Sequence, residues 1–142
     1  MTGTWQFWAL LSAGFAALTA ILAKLGVAAV PSDVATFVRT LVVLAACAGI
    51  LAVSGEWREA ATISGRSYLF LTLSGLATGA SWLCYFRALK LGDAARVAPV
   101  DKLSVVLVAV LGVLLLGERL SPANWLGVVL IAGGAVLLAR PG

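Results

Sequence analysis

The sequence predicts an all-α membrane protein of five transmembrane helices, and three observations carry that prediction. The 142-residue chain is 62% hydrophobic and 11% charged, where an ordinary soluble domain is about 25% charged. Its apolar residues come in long runs that lack the polar half a solvent-facing helix or strand requires. Five of those runs are long enough, at about 1.5 Å per residue, to cross a hydrocarbon core of about 30 Å.

The first span is predicted over about 5–23, an uncharged stretch followed by Lys24-Leu25-Gly26. No Lys or Arg precedes it and the run is long, so it reads as a membrane helix and not as a signal peptide. The second runs over about 34–54, after the start signal Pro31-Ser32-Asp33 and up to Ser54-Gly55. The third covers about 67–86 and the fourth about 99–117. The fifth, about 122–139, is the best marked, with Ser121 placed to cap it and Pro122 in its first turn. Trp5, Trp8, Trp57, Tyr68, Trp82, Tyr85 and Trp125 mostly fall near the ends of runs, where interfacial aromatics are enriched.

Composition excludes several functions. The chain has no histidine and two cysteines, Cys47 and Cys84, without Cys-x-x-Cys spacing. No metal site and no cofactor are therefore expected, and the cysteines read as small buried apolar residues. The net charge of +4 reflects loop cations and anionic lipid, with no basic run interleaved with aromatics, so no nucleic-acid partner is expected. No Ser-His pair, paired aspartates or His-Glu-x-x-His motif supplies a general base, so the chain is not expected to be an enzyme.

Two spans are short of uncharged length, and that shortage locates the candidate site. From Leu103 to Gly117 the uncharged run covers only about 22 Å, which draws Asp101 and Lys102 inside the bilayer boundary. Lys102 can snorkel out, but a short Asp side chain cannot easily follow. Arg39 stands about one and a half turns inside the second span. Arg39, Trp82, Tyr85, Asp101 and Lys102 are thus the substrate-pathway candidates, all near one depth. The competing reading is structural: Asp101 pairs with Arg39 or Lys102, or complements the helix dipole from the first turn of its span. Glu118-Arg119 reads as an interfacial anchor.

Small residues supply candidate packing faces. Gly75 and Gly79 share a helical face with Thr78, Trp82 and Tyr85, which suits either close helix approach or a cavity wall. Gly127 and Gly134 stripe the fifth span, and Ser12, Ala16 and Ala20 the first.

The stretch ALKLGDAARVAPVDKLS, the exit LGVLLLGERLS and the final run NWLGVVLIAGGAVLLA strongly resemble the repeat unit of the EamA family, in the drug/metabolite transporter superfamily. Phe37-Val38-Arg39 at the start of the second span agrees, so the resemblance covers nearly the whole chain. It implies one EamA-type repeat of the single-repeat, five-helix branch, where family members commonly carry two repeats of opposite orientation. The implied function is transport of small metabolites or drug-like solutes by alternating access. The implied partners are the lipid bilayer, a small-molecule substrate, and a second chain. That second chain would be a homodimer mate, antiparallel if chains insert both ways, or a related five-helix protein. An accessory or scaffold subunit of a heteromeric membrane complex is the alternative.

Charge counting bears on orientation. Lys24, Arg87, Lys90, Arg96 and Arg140 fall on one side, against Arg58, Arg66, Arg119 and the terminal amine on the other. This bias is weak and allows dual insertion; with Arg39 and Lys102 added by snorkelling it becomes seven against three and favours a C-terminus inside. The expected location is a bacterial or archaeal plasma membrane.

Overall fold

The computed structural model describes residues 4–140, and all regular secondary structure among them is helical. The elements are α1 (Trp5–Val27), α2 (Ser32–Ser54), α3 (Trp57–Ala60), α4 (Gly65–Leu91), α5 (Ala94–Asp101), α6 (Ser104–Leu116) and α7 (Pro122–Ala139). Five stretches are long and apolar enough to cross a membrane: α1, α2, α4, α5 with α6 taken together, and α7. Large apolar side chains such as Leu10, Leu44, Leu76 and Leu114 are exposed on their faces, the inverse of a soluble core and the arrangement lipid requires.

Contacts divide the chain into two compact units. One comprises Leu22–Lys90; the other joins the described residues up to Ile21 with those from Leu91 onward. In the first unit, α2 and α4 run antiparallel, with Asp33 against Arg87 and Arg39 against Trp82. The inward stripe of α2 is Ser32, Ala35, Thr36 and Arg39, and that of α4 is Gly79, Trp82, Phe86 and Leu89. Both follow the three-to-four residue spacing of one helical face. Val27 and Leu89 are fully buried, with Ala23, Thr36 and Phe86 nearly so. Thr36 satisfies its hydroxyl by donating to the Ser32 carbonyl at 2.9 Å, as a buried threonine in a helix must.

Lysines tie this end together. Lys24 Nζ donates to the Leu89 carbonyl and Lys90 Nζ to the Val30 carbonyl, each at 2.6 Å. Lys24 therefore does not stop α1, which continues to Val27. Burying Ala23 and Val27 outweighs the roughly 1 kcal/mol that Gly26 costs a helix. Likewise α2 begins at Ser32, bringing Asp33 into its first turn, and α4 extends through the cations Arg87 and Lys90, which complement its C-terminal dipole. Gly55, at φ 75°, closes α2 with its N–H on the Leu51 carbonyl. The short α3 has no counterpart in the sequence reading; Tyr68 donates from its hydroxyl to the Ala60 carbonyl at 3.4 Å to hold it against the start of α4.

In the second unit, α7 packs along both α5 and α6. Ser121 Oγ accepts the Asn124 N–H at 3.2 Å, with Pro122 in the first turn. Arg96 Nη2 donates to the Ala139 carbonyl at 3.2 Å, tying α5 to the end of α7. The fourth span differs most from the sequence reading. It begins at Ala94, not near Pro99, and is broken at 102–103. Pro99 lies inside α5 and cannot donate to the helix ladder. Past it the bonds shorten in register: Leu103 N–H reaches the Val100 carbonyl and Val105 N–H the Lys102 carbonyl, at 3.0 and 2.9 Å. These three-residue steps are a tight turn of 3₁₀ type, which accounts for the break.

Candidate functional site

The inward stripes of α2 and α4 meet around Arg39. Starting α2 at Ser32 puts Arg39 seven residues inside it, about 10 Å along the axis. Its guanidinium carbon lies 4.0 Å from the centre of the Trp82 ring and 5.6 Å from that of Phe86. Trp82 and Phe86 are four apart on α4 and so share a face, making a two-ring platform beneath one cation. Phe86 is 3% exposed and meets Tyr85 edge-on at 6.4 Å. Arg39, Trp82 and Tyr85 are half-buried. Cation–π contact is worth about 2 kcal/mol where water is excluded. It draws on the charge of the guanidinium and on no oxygen acceptor, so it does not use the N–H fork that pairs with carboxylates.

The carboxylate nearest in the sequence of α2 is already engaged. Asp33 accepts from Arg87 Nε at 3.3 Å and Nη2 at 3.0 Å, a two-pronged pair one turn and a half before Arg39. That pair lies at the end of the bundle where the lysine ties also sit.

Asp101 ends α5 and Lys102 opens the break before α6 in the other unit, with Lys102 Nζ 3.4 Å from Asp101 Oδ2. Because the span begins at Ala94, Asp101 stands about 10 Å inside it. Adjacent opposite charges partly cancel there, which lowers the cost of carrying either into lipid.

Of the residues that the sequence reading set near one depth, the structure places Arg39 over Trp82 and pairs Lys102 with Asp101. Phe86 was not singled out, although its position four residues after Trp82 was the available signal. Asp33 and Arg87 were read separately as helix start and loop cation. The glycines behave differently from one another. Gly75, Gly79, Gly127 and Gly134 have no heavy atom within 4 Å of where a Cβ would stand, so none makes a close contact within its own unit. Gly112, by contrast, is buried, and a Cβ there would lie 2.7 Å from Glu118 Oε2. Glu118 folds back over α6 beyond the left-handed cap at Gly117, φ 69°. Cys47 and Cys84 are exposed on α2 and α4, correcting the expectation of burial. The reason is that apolar faces here turn outward. No three His, Cys, Asp or Glu side chains come together among the described residues.

Five stretches long and apolar enough to cross a membrane, with charged and aromatic side chains inside them, define an integral membrane protein. The chain belongs to the EamA-like transporter family, whose model matches residues 3–140. It is 66% identical over 139 residues to a Sinorhizobium sp. protein described as an uncharacterized transporter in the cobO 3′ region, covering 98% of this chain and 99% of that one. No solved structure matches the chain.

Proposed function

We propose that the protein moves small metabolites or drug-like solutes across a bacterial plasma membrane, as a dimer, by alternating access. Arg39, Trp82 and Tyr85 form one part of the solute path and Asp101 with Lys102 another. The observation that carries this reading is Arg39 stacked on Trp82 within a membrane span, since intramembrane charge is costly and concentrates on solute and ion pathways. The broken fourth span supports it, because transporters build their sites where helices are interrupted. A second chain supplies the other half of the path, as a repeat of opposite orientation does in two-repeat members.

The test is uptake or efflux of a metabolite panel by everted vesicles. Arg39→Gln and Asp101→Asn are expected to lower flux at least tenfold with membrane levels near wild type. Loss of protein from the membrane, at unchanged flux per molecule, would assign both residues to assembly and favour a scaffold role.

A further inference from the structure

We infer that the Arg39–Trp82–Phe86 cluster is a binding site for small monoanionic carboxylates, an inference that rests on the transport reading only in taking the cluster to face a solute.

Charge balance makes the argument. A guanidinium about 10 Å inside an apolar span is stabilised by its aromatic platform but not neutralised by it. Within its unit, Asp33 is committed to Arg87, and Glu56 and Glu59 lie beyond the far end of α2, at and within α3. The missing negative charge must come from outside that unit. One cation in a low-dielectric setting is best matched by one negative charge, because a dianion leaves an uncompensated charge behind. A planar carboxylate fits the N–H fork of a guanidinium held over aromatic rings. An ammonium-bearing zwitterion would need a free carboxylate beside Arg39, and this unit offers none there. The platform adds selectivity: Trp82 extends flat apolar surface beside the fork, favouring carboxylates with an aromatic or alkyl body.

The experiment measures binding, not flux, on the full chain in phosphatidylcholine nanodiscs, which carry no net headgroup charge. The unfolding midpoint is followed while benzoate, benzamide, inorganic phosphate or oleate is added. Benzoate should raise it in a saturable way; benzamide, with the same ring and no charge, should not, and phosphate should be at least tenfold weaker. Arg39→Gln should abolish the benzoate shift. Arg39→Lys keeps the charge without the fork and should weaken apparent affinity about tenfold, which preserves the test if the Gln variant does not fold. Trp82→Leu should weaken it several-fold.

Equal shifts from benzoate and benzamide would reduce the effect to apolar adsorption and overturn the inference. So would a response to oleate alone, which would make the ligand a lipid. A benzoate shift absent from the wild type but present in Asp101→Asn would show that a carboxylate of the protein itself fills the site. Benzoate binding without benzoate-sensitive flux would support the site and count against its place in the transport path.

Discussion

Arg39 concentrates the residue-scale physics of this protein. Its depth was legible from the distance between the Pro31-Ser32-Asp33 start signal and the arginine, but underestimated, because α2 starts at Ser32. Its partner on α4 was legible as an aromatic of unassigned contact. Which ring it covers depends on the antiparallel register of α2 and α4, in which Asp33 lies against Arg87, and one sequence does not state a pairing across 54 positions. A double-mutant cycle between Arg39→Gln and Trp82→Leu should return a coupling of about 1–2 kcal/mol in a denaturant titration. Zero coupling would mean that the contact contributes nothing. A second pair of residues separates backbone strain from crowding. Gly117 has φ 69°, where a side chain costs about 1–2 kcal/mol, so Gly117→Ala should lower stability by that amount. Gly112 is crowded only by the tip of the flexible Glu118 side chain. Gly112→Ala should therefore change stability by less than about 0.5 kcal/mol, since the helix propensity gained offsets displacing Glu118. Equal losses at both positions in the same titration would refute the distinction.

At the scale of elements, hydrophobic run length was enough to count the spans but not to shape them. Ends slid outward wherever a lysine or arginine found a carbonyl to bond, as Lys24 and Lys90 do, because a cation that looks like a stop signal can also extend a helix by snorkelling. The break in the fourth span is the element-level feature on which the proposed solute path draws. Pro99 was read as a helix start, a position it often takes; the helical turn before it, Ala94 onward, is held by Arg96 on the end of α7 and so displaced the start. Proline inside a helix costs about 3 kcal/mol. Retaining it at the step before Asp101 suggests that the break serves the charges beside it. Pro99→Ala should raise the unfolding midpoint, recovering up to about 3 kcal/mol, while reducing flux in the vesicle assay. A variant both more stable and fully active would show that the break has no role in transport.

For the whole molecule, the decisive property is how little of the apolar surface one chain buries. Faces of α2 beyond Arg39 and of α4 before Gly79 are mostly exposed; Gly75 stands on that stretch and Gly79 at its edge, neither with a close neighbour. Lipid can cover such faces; in the dimer proposed above they would meet a second chain instead. An odd number of spans places the two termini on opposite sides of the membrane, so identical chains form inverted halves only by inserting in both orientations. Loop charge does not forbid this: five cations on one side face three and an amine on the other, a bias that a few residues could reverse. Reporters fused after Gly142, one active only inside the cell and one only outside, should therefore both give signal. Adding two lysines to the Arg58–Arg66 segment should shift the population to one orientation and lower flux of the homomeric protein. Co-expression with a variant biased the other way should restore it. Signal from a single reporter in the unmodified protein would exclude the antiparallel homodimer. The complementary half would then have to be a different chain, and the search would turn to five-helix partners of opposite charge bias.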